Sequence, residues 1–175
     1  KDDREHMGHL LPRVAPLLFG SAAWFSCFTA VEASVLVHIF GGAEFAAALV
    51  PVQIMALYPA HQAYGQLASS VFHATGKTKV LRNLAFIEHF GGFLLVWLLV
   101  APQDMLGMGL GATGLALKTV TTQFIMVNLL FWMASRLIPL NFFRNLMLQG
   151  LILGSLLGIA WVCTQATGSY FADDA

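Results

Sequence analysis

An all-α membrane protein, a bundle of about five transmembrane helices, is the fold class that this sequence predicts. Three observations predict it. The chain is 58% hydrophobic and only 10% charged, whereas an average soluble domain carries roughly 25% charged residues. So few charges cannot cover a core of this size in water, and the solvent for most of the surface is lipid. Five apolar runs each reach the ~20 residues that a spanning helix needs. Finally, eight of the nine basic residues lie in alternate gaps: Lys1, Arg4 and Arg13 before the first run, Lys77, Lys79 and Arg82 between the second and third, Arg136 and Arg144 between the fourth and fifth. The other gaps hold Glu44, Asp104, Asp173 and Asp174. A chain that crosses a bilayer five times with its basic loops in the cytoplasm produces this alternation, with the N-terminus inside and the C-terminus outside.

The runs cover residues 14–40, 45–74, 84–101, 113–135 and 146–165. Residues 1–13 form a cytoplasmic segment, 14–135 carry the first four spans, 136–145 a cytoplasmic loop, and 146–175 the fifth span with an outer tail. The first two runs are joined through Gly41 and Gly42, a short turn, and the next two through the polar stretch 74–79. Residues 101–114, with Pro102, Asp104 and four glycines, read as a flexible outer loop leading into a helix start; Pro139 breaks the chain after the fourth run. Pro51 and Pro59 lie inside the second run, where each removes a backbone donor and bends the helix. That bend reads either as a packing kink or as a hinge. In the fifth run Gly150, Gly154 and Gly158 form overlapping GxxxG units, which permit close contact with another helix. Cys27 and Cys163 both fall inside apolar runs and read as buried free thiols. Lys1 is not an initiator Met, and the chain stops soon after an apolar run, which fits a piece of a longer protein.

Polar groups within spans are costly and tend to face protein or water. In the second run Tyr58, Gln62, Gly65, Ser69 and His73 share one helical stripe, with His61 and Gln66 beside it and Leu57, Ala60, Ala63, Leu67 and Val71 opposite. A stripe this long is expected to wall a wet cavity; the alternative is hydrogen-bonding glue between helices. Lys118, the one base outside the cytoplasmic clusters, shares about a third of the fourth helix's circumference with Thr121, Thr122 and Asn128. Two readings stay open for it: an anion site in a cavity, or snorkelling to the outer headgroups. Glu32 sits at a similar depth below the outer side, roughly 12 Å at 1.5 Å per residue, and is the expected ion-pair or proton-coupling partner of Lys118. Glu88 and His89 read as interfacial, near the cytoplasmic end of the third run, and His38 lies near the outer end of the first.

Several function classes drop out. Gly76-Lys77-Thr78 has the tail of a phosphate-binding loop, but Val71 stands where the first glycine belongs. There are no paired carboxylates, no Cys/His ligand set and no activated nucleophile, so neither an enzyme nor a metal or cofactor is expected. Nucleic acid is excluded as a partner by the lack of a basic patch interleaved with aromatics.

Three stretches in order resemble a known family. Phe40-Gly41-Gly42-Ala43-Glu44-Phe45 is similar to the FG-x-E-F turn in the later half of bacterial polysaccharide flippases. Ala74-Thr75-Gly76-Lys77-Thr78-Lys79 resembles their short cytoplasmic loop, and Leu110-Gly111-Ala112-Thr113-Gly114-Leu115-Ala116-Leu117 their entry into a later helix. The likeness covers roughly residues 16–135. It points to the oligosaccharide flippase branch of the multidrug/oligosaccharidyl-lipid/polysaccharide exporter superfamily, whose members carry two lobes of six helices around a central cavity. The resemblance implies that the chain is a partial second lobe of a flippase-type transporter, with the N-terminal lobe missing. It further implies a location in the bacterial inner membrane, and passage of an undecaprenyl-diphosphate-linked glycan between leaflets for polysaccharide or lipopolysaccharide biosynthesis. No substrate-contact motif is matched, so no family site residue carries over. A cation-coupled multidrug exporter of the same superfamily and a non-transporting membrane assembly subunit are the alternatives.

Overall fold

The computed structural model describes residues 2–172, with side chains from 8 to 166. Every regular element among them is helical: α1 Asp2–Val31, α2 Ala33–Gly41, α3 Leu49–Met55, α4 Tyr58–Ala74, α5 Thr78–Val100, α6 Gly111–Ala134 and α7 Phe142–Ala172, with 3-10 turns at Ala43–Ala48 and Gln103–Met105. Five segments are long and apolar enough to cross a membrane: Gly8–Val31, Ala43–Ala74, Thr78–Val100, Gly111–Ala134 and Phe142–Ala166. The fold is thus an all-α, membrane-type bundle.

Two of the expected spans are subdivided, and the cause is local. The first run does not continue as one helix to residue 40: α1 ends at Val31, Glu32 takes a turn, and α2 carries on to Gly42, whose φ of 72° reverses the chain. In the second run neither proline bends a continuous helix. Pro51 stands in the first turn of α3 and Pro59 in that of α4, where a missing N–H costs nothing. The bend becomes a break at Ala56–Leu57, whose N–H groups still find the carbonyls of Val52 and Ile54. The 101–110 loop is not loose either. Met108, Leu110 and Gly109 donate back to the carbonyls of Leu98, Leu99 and Ala101, at 2.8, 2.9 and 2.9 Å. The Trp97 indole N–H adds a bond to the Met105 carbonyl at 3.1 Å.

Packing follows from where small residues fall. Leu11, Ala15, Phe19, Ala23 and Ala30 are buried along one side of α1, and Ala60, Tyr64, Ala68, Val71 and Phe72 along one side of α4. Alanine at three- and four-residue spacing lets these backbones approach, the usual basis of helix contact in lipid. α1 packs on α4 and α7, α4 on α6, and α5 mainly on the far side of α6. The centre is aromatic: Tyr64 stacks on Phe131 at 4.0 Å, and Phe19 meets Tyr64 edge-on at 5.2 Å. Gly8 abuts Pro139, so the start of α1 and the α6–α7 turn share one end of the bundle. Cys27 is buried as expected, but Cys163 is exposed.

The glycines of α7 behave differently from the GxxxG expectation. Gly150, Gly154 and Gly158 have open space where a side chain would go. α7 meets its neighbours instead through buried Asn145, Gln149 and Ala160, with half-buried Leu153, Leu156 and Thr164 between them.

Candidate functional site

The outward face of α4 is the feature that stands apart. The exposed positions of this helix are Pro59, Gln62, Gln66, Ser70, His73 and Ala74, and none is a large apolar residue. Compare α5, which turns Phe86, Phe90, Phe93, Leu94 and Trp97 outward. One of these helices presents a surface that lipid solvates; the other presents amides, a hydroxyl and an imidazole that lipid does not. Gln62 lies twelve residues from the end of α4 at Ala74, about 18 Å along the axis, so the polar face extends well into the span.

A polar face is therefore present, but it is rotated from the stripe expected from the sequence and shares only Gln62 and His73 with it. Gln62 and His73 are exposed, Tyr58 and Ser69 half-buried. Gly65 turns inward: a Cβ there would come within 2.8 Å of Val127 and 3.6 Å of the Gln123 amide nitrogen of α6. His61 is enclosed rather than lining the face. Its ring lies edge-on to Phe19 and Phe124, at 5.7 and 5.1 Å, and neither nitrogen meets a hydrogen-bond partner at standard geometry, the Leu57 carbonyl one turn back being its backbone neighbour.

The residues grouped around Lys118 separate. Thr121 is exposed. Asn128 is buried and belongs to a polar contact at the α6–α7 side: its amide nitrogen donates to the Phe124 carbonyl at 2.9 Å, and Gln149 Nε2 donates to its Oδ1 at 3.2 Å. Lys118 itself reaches α5, where its Cε and Nζ lie 3.0 and 3.2 Å from the Cβ position of Gly92. Thr122, one turn on, is buried with its hydroxyl unpartnered. The depth match between Glu32 and Lys118 produces no ion pair among the described residues, because the two sit on different sides of the bundle. The Glu32 carboxylate accepts instead from the Thr164 hydroxyl of α7, which clasps the α1–α2 junction. Depth along two helices says nothing about which faces they turn to each other.

The Asn128–Gln149 contact yields a prediction. Gln149→Leu strips the Asn128 carbonyl of its donor in a buried place and is expected to cost about 1–3 kcal/mol. Adding Asn128→Leu should recover part of that, since the Asn128 carbonyl is then gone while the buried Tyr64 hydroxyl still lacks its Gln149 partner; thermal unfolding of the four proteins of the cycle in detergent measures it.

Comparison with protein-family models, with curated proteins and with solved structures returned no match. No cluster of three or more His, Cys, Asp or Glu suited to a metal occurs among the described residues.

Proposed function

We propose that the chain is part of a membrane transporter that moves an undecaprenyl-diphosphate-linked oligosaccharide across the bacterial inner membrane, with the outward face of α4 lining the path. That face is the observation that carries the reading. A polar surface at span depth must meet water or another polar protein surface, and a translocation path supplies the first. Its chemistry is also selective. Gln62, Gln66 and Ser70 offer neutral donors and acceptors of the kind that match sugar hydroxyls, and there is no carboxylate among the exposed positions to fix a cationic drug. At the cytoplasmic end, exposed Lys77 and Lys79 give a diphosphate its counter-charges on the leaflet where the substrate starts, with exposed His73 beside them as a further hydrogen-bonding group. The three flippase-like motifs agree with this reading, and the alternation of basic loops agrees with a cytoplasmic N-terminus. On this reading a second lobe of the kind the resemblance implies forms the opposite wall.

Aqueous accessibility tests it. In protein whose Cys27 and Cys163 are replaced by serine or alanine, single cysteines at 62, 66, 70 and 73 are expected to react with a membrane-impermeant thiol reagent in sealed vesicles, and protection by lipid-linked glycan should follow. Cysteines at 86, 90 and 93 on α5 should stay unreactive. Unreactive positions along α4 would sink the path and leave the assembly-subunit reading.

A further inference from the structure

α5 begins at Thr78, six residues earlier than the apolar run suggests, and this moves Glu88. It lies ten residues from Thr78 and twelve from Val100, or about 15 and 18 Å along the axis. Glu88 therefore sits near the middle of α5 by residue count, six residues beyond Arg82. Its side is also defined. Leu84 and Gly92 are buried, Glu88, Leu95 and Leu99 half-buried, at spacings of three and four residues. Lys118 lies on Gly92 and the Leu99 carbonyl lies against Gly114 of α6, so this stripe faces α6, and Glu88 with it.

Lys118 points along the same stripe. A snorkelling lysine would run toward the nearer, outer end of α6; this one extends across to the level of Gly92, in the notch left by the missing Cβ. Glu88 and Lys118 make no ion pair among the described residues, but the Cβ positions of residues 88 and 92 are about 6 Å apart on one helix face, a gap that the length of a glutamate side chain spans on a change of rotamer. Thr122 is the third member. Thr119 donates its hydroxyl to the Leu115 carbonyl at 2.8 Å, but the buried hydroxyl of Thr122 makes no such bond and remains a spare donor one turn from Lys118.

From this juxtaposition we infer that Glu88, Lys118 and Thr122 form a proton-binding site between α5 and α6. When Glu88 is ionised, the ammonium and the Thr122 hydroxyl converge on its carboxylate and the site is neutral. When a proton binds the carboxylate, the ammonium is released and the site carries one positive charge, which favours an outward move of Lys118. Proton uptake thus alters the hold of α6 on α5. The other ionisable groups nearby do not compete: His89 turns Nδ1 to the Ala85 carbonyl at 2.7 Å, and α4, the other helix against α5, brings exposed His73 and the enclosed His61. The inference stands whether or not the α4 face carries a glycan.

A hydrophobic carbodiimide, which adds to a protonated carboxyl, reads the site in the full chain reconstituted in vesicles, with modified peptides quantified by mass spectrometry. Glu88 is expected to label slowly at about pH 8 and faster at about pH 5. Lys118→Met should raise the rate at the higher pH about tenfold, because the carboxylate then has no ammonium to pair with; labelling of Glu32 should be unchanged. Thr122→Val, which preserves shape, should raise the Glu88 rate severalfold and serves if Lys118→Met fails to fold. Equal rates in wild type and either folded variant, or fast pH-independent labelling of the wild type, would overturn the inference without touching the transport reading.

Discussion

Replacing Gln62 and Gln66 together by leucine is expected to leave the chain folded and to lower transport of lipid-linked glycan about 100-fold, two hydrogen bonds of about 1–1.5 kcal/mol each at a factor of ten per 1.4 kcal/mol. Both side chains are exposed and take no part in the packing of α4 on α1 and α6. The melting temperature in detergent should hold, because neither amide takes part in that packing. What leucine removes is the ability of the face to exchange hydrogen bonds with a hydroxylated cargo. Flipping assays in vesicles measure the loss, with Phe90→Leu on α5 as the comparison, since that residue points outward from an apolar surface. Full transport by the folded double variant would remove the α4 face from the path.

Gly114→Val is the corresponding prediction for the fold. A Cβ at 114 would lie 2.7 Å from the Leu99 carbonyl oxygen and 3.1 Å from its carbon. Both are backbone atoms, so no rotamer change relieves the clash and α5 must move away from α6. The movement spreads, because Leu110 hydrogen-bonds to that same Leu99 carbonyl and the loop beside it is tied to Leu98 and Ala101. A cost of about 3 kcal/mol from overpacking corresponds to a fall in melting temperature of roughly 10 °C for a chain of this size. Gly150→Val, at a glycine with open space around it, should change little. Equal melting temperatures for the two variants would mean that α5 does not rest on α6 as described.

The contrast between these two glycines marks what was legible in the sequence. The five spans were, because runs of about 20 mostly apolar residues leave few alternatives. So was the existence of a polar stripe on the second span, since Gln62, Ser69 and His73 follow helical spacing regardless of what surrounds them. Tertiary facts were not. GxxxG at 150–158 and the neighbouring stripe through Gln149, Leu153 and Ala160 have the same period, and only the position of α1 decides between them. The direction of Lys118 depends on Gly92, twenty-six residues away on another helix. The start of α5 was hidden for a simpler reason: the polar residues Lys79, Arg82 and Asn83 break the apolar pattern, and the helix begins six residues before the apolar run.

The pairing of α1 with α7 has a consequence for how the protein is made. About 110 residues separate the end of α1 from the start of α7, on the order of ten seconds of synthesis at 5–20 residues per second. During that interval α1 waits in the bilayer with one flank uncovered, and Glu32 lacks the Thr164 hydroxyl that later receives it. The nascent chain thus holds an acid at the end of α1 whose hydroxyl donor is made only with α7, so the α1–α2 junction reaches its final hydrogen bonding late in synthesis.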